Sequence, residues 1–148
     1  MMNALKYAVA SDQQAEIFER IREINQSEIG EDYVRKIADF IDDFGEARVV
    51  ELADCFGVTH ATVNKVINRL QREGLVTSRP YRSIFLTDAG RELAEESRRR
   101  HKIVYDFLKA VGVSEKNAKI DTEGLAHHVS EETISALQRL TREKCGDG

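Results

Sequence analysis

Apolar residues recur every three or four positions in seven segments of this chain, and this spacing predicts seven α-helices. The predicted helices cover residues 12–24, 28–44, 49–56, 60–73, 88–111, 115–128 and 131–143. The first of them is only weakly amphipathic. Ser27, Thr87, Ser114 and Ser130 stand directly before four of the others and are the expected N-caps.

The order of the elements predicts a winged helix-turn-helix. Two short helices are separated by a turn at Gly57, and two β-forming runs at 75–78 and 83–86 then flank a turn containing Pro80. The predicted fold class is mainly α, with a winged helix-turn-helix DNA-binding domain followed by an all-helical domain. The predicted boundaries are an N-terminal helical extension over 1–27, the DNA-binding domain over 28–90, and a linking helix with a helical dimerisation domain over 91–148.

The helix after Gly57 has a polar outer face that is suited to reading DNA. Its N-terminal half would enter the major groove, where amide and ammonium groups read base edges and small apolar groups contact thymine methyls. The residues expected to contact bases are Thr59, His60, Ala61, Thr62, Asn64 and Lys65. Those expected to contact phosphates are Arg69, Arg72, Arg79 and Arg82.

Charge is distributed in agreement with this interpretation. The chain of 148 residues has a net charge of −4, yet the stretch 57–83 holds five Lys and Arg residues against one Glu. One DNA-reading module makes few phosphate contacts, so a homodimer on a two-fold-symmetric double-stranded operator is expected. The apolar residues expected to form the dimer surface are Leu125, Val129, Ile134, Leu137 and Leu140.

Several classes of protein are disfavoured by the sequence. No apolar run approaches the roughly 20 residues of a membrane span, and the start of the chain lacks the features of a signal peptide. Cys55 and Cys145 are isolated, which suits the reducing cytoplasm. No phosphate-binding loop, nucleophile elbow or zinc-protease motif is present, so neither an enzyme nor a small-molecule substrate is expected.

Glu123 and His127 are four positions apart on one predicted helix, so their side chains face the same side, as two metal ligands must. This spacing alone also fits a solvated acid and a histidine near a helix end. Longer motifs add to the picture, namely Asp32-Tyr33-Val34, Gly45-Glu46-Ala47-Arg48, 58–65, Arg100-His101 and 123–130. With these motifs the chain resembles the two-domain manganese-regulator branch of the diphtheria-toxin-repressor family of metal-dependent repressors, over residues 32–141.

The resemblance implies a metal-responsive repressor of metal-uptake genes whose C-terminal domain also senses the metal. It places the metal ligands at Asp32, His101, Glu123 and His127. Oxygen and imidazole ligands suit Mn²⁺ or Fe²⁺, whereas affinity order alone would favour Zn²⁺. The expected cofactor is one Mn²⁺ per subunit, which would fix the spacing of the two DNA-reading helices.

The chain departs from the family's two-metal pattern at two carboxylate positions, which are Arg35 and Ala126 here; Tyr105 also replaces a frequent Glu. Unit charges about 4 Å apart interact by roughly 4 kcal/mol at an effective dielectric of about 20, so Arg35 and a second cation should exclude each other. Three hypotheses follow. The site binds a single ion, or Arg35 pairs with Glu123 or Asp32 and the repressor ignores metal, or His128 is recruited and the metal preference changes.

Overall fold

The computed structural model describes residues 11–79 and 82–146. In these ranges six helices and one short hairpin follow one another along the chain. The elements are α1 (Ser11–Phe44), α2 (Val49–Phe56), α3 (His60–Arg72), β1 (Val76–Thr77), β2 (Phe85–Leu86), α4 (Asp88–Ala110), α5 (Glu115–His128) and α6 (Glu131–Lys144). Within these ranges, no helix is both long and apolar enough to cross a membrane.

The first two predicted helices form one continuous helix, so the prediction of a break before Ser27 was wrong. Ser27 does not cap a helix; its hydroxyl donates a hydrogen bond to the carbonyl of Ile24 at 3.0 Å, within α1. A serine inside a helix commonly bonds back in this way. No glycine or proline lies between the two predicted segments, so no residue there stops the helix.

The other predicted N-caps are confirmed. The hydroxyls of Thr87, Ser114 and Ser130 accept hydrogen bonds from backbone N–H groups in the first turns of α4, α5 and α6, and Thr59 does the same for α3. The hairpin is confirmed too, with antiparallel β1 and β2 pairing Val76 with Leu86. The predicted turn at Arg79-Pro80-Tyr81-Arg82 includes Pro80 and Tyr81, which lie outside the described residues, as do 1–10 and 147–148.

Two hydrophobic cores lie along the chain. The larger core joins the C-terminal half of α1 to α2, α3 and the hairpin, and the rings of Tyr33 and Phe56 stack in it with centroids 4.4 Å apart. The smaller core joins α4, α5 and α6 around Val104 and Ile134. Because α4 contributes Ala94 to the larger core and Val104 to the smaller one, this helix connects the two.

The predicted dimer surface is corrected in part. Ile134 is fully buried in its own chain, and Val129 and Leu137 pack against the same core, so these side chains stabilise the chain itself. Leu125 and Leu140 are exposed, and so is Ile120 on α5; that Leu125 and Leu140 contact a second copy stays a prediction.

Candidate metal centre and nucleic-acid interface

An acidic cluster lies where α1 meets α4 and α5. Four of its members come from consecutive turns of α1, and they lie together because residues three and four positions apart share one face of a helix. Its members are Glu28, Glu31, Asp32, Arg35, His101, Glu123 and His127.

His127 is the most buried side chain of the acidic cluster, with 5% of its surface exposed. Its Nε2 donates to Oδ1 of Asp32 at 2.8 Å, and its Nδ1 donates to Oε2 of Glu31 at 2.6 Å. Burial alone would lower the pKa of His127, but the hydrogen bonds to Asp32 and Glu31 outweigh it and raise that pKa to about 9. His127 therefore carries a proton at neutral pH and joins α5 to α1 as an ion pair.

Glu123 joins three helices. Its Oε1 accepts a hydrogen bond from Nε2 of His101 on α4 at 3.0 Å, and its Oε2 accepts one from Arg35 on α1 at 2.9 Å. The hydrogen bond from His101 and the charge of Arg35 lower the pKa of Glu123 to about 2, against the opposing effect of burial. The carboxylate is thus ionised and held between α1 and α4.

The four ligands expected from the sequence lie in one cluster but form two pairs, Asp32 with His127 and Glu123 with His101. The guanidinium of Arg35 lies between the pairs, since it contacts Asp32 at 3.4 Å and Glu123 at 2.9 Å. Whether all four bind one ion stays a prediction.

Sequence reasoning missed Glu28 and Glu31. Among the described residues, one group of three side chains has ligand atoms all within 4.8 Å of one another, and it consists of Glu28, Asp32 and His127. Two carboxylates and an imidazole are donors that suit a divalent cation such as Mn²⁺. Glu31 accepts a hydrogen bond from the other ring nitrogen of His127, an arrangement that commonly orients metal-binding histidines. These residues therefore fit a divalent metal. The i, i+4 spacing of Glu28 and Asp32 is the sequence feature that could have identified Glu28 as a ligand.

The predicted base-contacting residues are all exposed on the outer side of α3, from Thr59 to Lys65. A groove of about 1040 Å³ runs between α3, the start of α2 and the hairpin. It is lined by His60 and Asn64 and, on the hairpin, by Arg79 and Arg82.

Four other polar side chains line this groove and were not anticipated, Arg48, Asn68, Gln71 and Ser78. Asn68 and Gln71 lie one and two turns beyond Asn64 on α3, so the helical repeat could have found them. Arg69 is different, because it pairs with Glu73 at 3.1 Å and donates to the carbonyl of Gln26 on α1. This arginine is engaged within the chain.

Comparison with known proteins identifies the family. Residues 26–84 match the iron-dependent repressor N-terminal DNA-binding domain, and residues 87–144 match the iron-dependent repressor metal-binding and dimerisation domain. The chain belongs to the iron-dependent repressor family. Members of this family, and this chain with them, are metal-responsive repressors that bind double-stranded DNA as homodimers.

Individual relatives agree with this assignment. The chain is 45% identical to the transcriptional regulator MntR of Escherichia coli O157:H7, over 90% of this chain and 86% of that protein. It is 43% identical to MntR of Salmonella typhimurium, over 89% of this chain and 84% of the relative. It is 33% identical to the HTH-type transcriptional regulator MntR of Geobacillus kaustophilus, over 76% and 79% of the two chains.

Solved structures of other regulators share the fold. A manganese-dependent transcriptional repressor in complex with manganese superposes with a TM-score of 0.69 at 26% identity, over 76% of this chain and 52% of that chain. The manganese regulator SloR superposes with a TM-score of 0.67 at 23% identity, over 75% and 52%. The chain thus spans about half the length of these solved structures.

Proposed function

We propose that this chain is a cytoplasmic, manganese-responsive repressor of metal-uptake genes that binds one Mn²⁺ per subunit through Glu28, Asp32 and His127. The proximity of these three ligand groups, within 4.8 Å of one another, is the observation that carries the proposal. Manganese as the metal is supported by the structural neighbour that is a manganese-dependent repressor in complex with manganese. The activity proposed is DNA binding, without catalysis.

The position of the ligands supports a role in controlling DNA binding. Glu28 and Asp32 belong to α1, whose next residues Tyr33, Val34 and Ile37 are buried in the core beneath the DNA-reading helix. His127 lies in the last turn of α5, which packs in the core of the metal-binding and dimerisation domain. A bound divalent cation would supply attraction to ligands on both helices.

Residues around the proposed ligands hold them in position. Glu31 orients the His127 ring, and the N-cap at Ser130 begins α6 two residues beyond α5. Arg100 of α4 donates hydrogen bonds to the carbonyls of Ala126 and Val129, which fixes the end of α5 against α4. Because the ligands lie on rigid helices, a metal that draws α1 and α5 together would also change the distance between the two DNA-reading helices of the dimer. Metal occupancy would in this way select the distance that matches the operator.

Removal of metal is the direct test. We expect operator DNA to bind about 5–150-fold more weakly in EDTA than in excess Mn²⁺, the usual range for coupling between two sites. The operator would be obtained by selecting bound duplexes from a random pool, and the affinity measured by fluorescence anisotropy at fixed ionic strength. Equal affinity with and without metal would instead favour the second candidate function, a metal-independent repressor in which Arg35 supplies the positive charge between Asp32 and Glu123.

Asn64 is the proposed base-reading residue of α3, because it is exposed and lines the groove. We expect Asn64→Ala to weaken operator binding about 5–150-fold and to relax the preference at one base pair, since a lost base contact costs about 1–3 kcal/mol. The matched control is Asn117→Ala on α5, where an exposed asparagine lies outside the groove. Equal losses in the two variants would contradict this role for α3.

A further inference from the structure

Arg35 is a buried arginine at the centre of the acidic cluster. Only 8% of its side chain is exposed, and it connects Glu123 on α5 with Asp32 on α1. Because Glu123 also binds His101, the guanidinium takes part in a connection between three helices, α1, α5 and α4. The guanidinium occupies the space between the carboxylates of Asp32 and Glu123, so this space is not open to a second cation.

The charges around Arg35 allow one divalent ion and disfavour two. The cluster holds four carboxylates, those of Glu28, Glu31, Asp32 and Glu123. Arg35 adds one positive charge, because an arginine side chain keeps its proton at every pH at which the protein is folded. A metal-bound imidazole is neutral, so metal binding would displace a proton from His127. With neutral imidazoles the cluster has three negative charges, so one divalent ion would leave one negative charge, whereas two would leave a net positive site. Ala126, buried one turn beyond Glu123, adds no carboxylate.

One nitrogen of the buried Arg35 guanidinium is left without a partner in the part of the chain that the structure describes. Its Nε is buried and has no hydrogen-bond partner among the described residues. A buried donor without an acceptor destabilises the folded state, so an apolar side chain would avoid this cost. The positive charge itself is therefore the useful property of this side chain, because it lies between carboxylates of two different helices.

We propose that Arg35 is a permanent internal cation, which ties α1 to α5 without metal and limits each subunit to one divalent ion. The second part rests on the proposed metal-binding function, whereas the first part concerns the metal-free protein. The metal-free repressor consequently retains part of the connection that a metal would otherwise make.

The tie is tested on the full-length protein in EDTA. We expect Arg35→Met to lower the Tm by about 4–8 °C, because Asp32 and Glu123 then lose the guanidinium that pairs with both of them. Arg35→Lys keeps the charge and should recover at least half of this loss. The control is Lys102→Met, which removes an exposed pair with Asp106 and should shift the Tm by less than about 1 °C. An unchanged Tm for Arg35→Met would overturn the tie.

The limit on metal number is tested by calorimetric titration with Mn²⁺. We expect one ion per chain for the unmodified protein and two for Arg35→Glu, which replaces the cation with a further ligand beside Asp32, Glu123 and His101. A merely structural arginine would not change this stoichiometry. Two ions in the unmodified protein, or one in Arg35→Glu, would overturn the limit. If no ion binds the unmodified protein, the proposed manganese function fails, while the EDTA measurement still decides the tie.

Discussion

His127→Ala is expected to weaken Mn²⁺ binding by at least 100-fold and to remove the effect of metal on operator affinity. His127 supplies the one nitrogen donor of the three-residue group and is the one member of it on α5, so its loss leaves the carboxylates of α1 alone. Calorimetric titration measures the affinity, and fluorescence anisotropy with and without EDTA measures the coupling.

The matched control for this variant is His128→Ala. His128 is the next residue, is 39% exposed in its side chain and lies 3.5 Å from Glu28, so it tests whether any histidine at the end of α5 matters. We expect less than a threefold change in Mn²⁺ affinity. A larger loss for His128→Ala than for His127→Ala would reject the proposed ligand set and favour the hypothesis that His128 is recruited.

The same titration on His101→Ala distinguishes the three-ligand site from the four-ligand site expected from the sequence. In the three-ligand site His101 does not bind the ion. It hydrogen-bonds Glu123, which pairs with Arg35, so the Mn²⁺ affinity of His101→Ala should fall less than about threefold. A loss of 10-fold or more would show that His101 and Glu123 bind the ion themselves, as the family resemblance implies.

Local signals predicted most of the fold. Thr87, Ser114 and Ser130 were predicted as caps because a helix start depends on a hydroxyl and the two or three residues that follow it. Ser27 has the same chemistry, but an N-cap residue starts a helix only where the preceding chain is not helical. Since the residues before Ser27 continue the helix, its hydroxyl bonds to a carbonyl inside α1.

The candidate site could be predicted only in part, because its geometry depends on how α1 packs against α5. Asp32 and His127 were found through the resemblance, and they do lie in contact. Glu28 was not found, because the expected helix start at Ser27 placed it in a first turn, where acids are common for electrostatic reasons. The partners of Arg35 were left open between Asp32 and Glu123, and it contacts both.

The dimer surface shows a different limit of the sequence. Ile134 and Leu125 are both apolar residues at helical spacing, yet Ile134 is buried in its own chain and Leu125 is exposed. Helical periodicity identifies the apolar face of a helix but does not tell whether its partner is the same chain or a second copy. That distinction requires the packing of α6 against α4.

Gly90→Ala is expected to lower the free energy of unfolding by about 3 kcal/mol or more, as inserted atoms do where packing leaves no space. Gly90 is buried in the first turn of α4, and a Cβ atom there would lie 1.9 Å from the carbonyl oxygen of Leu75. That oxygen belongs to the backbone and already accepts a hydrogen bond from the Thr87 amide. The methyl group would therefore push α4 away from the base of the hairpin, and operator binding should weaken as well.

Urea denaturation in EDTA measures this effect without any contribution from metal binding. The control is Gly124→Ala in α5, where an added Cβ meets nothing within 4 Å. Because alanine favours a helix over glycine, this control should raise the free energy of unfolding by up to about 1 kcal/mol. Opposite signs for the two substitutions are expected because Gly90 is required by a close backbone approach, whereas Gly124 is not. If both variants unfold at the same urea concentration, α4 does not pack against the hairpin in this way. The inferred rigid connection between the acidic cluster and the DNA-reading helix would then be rejected as well.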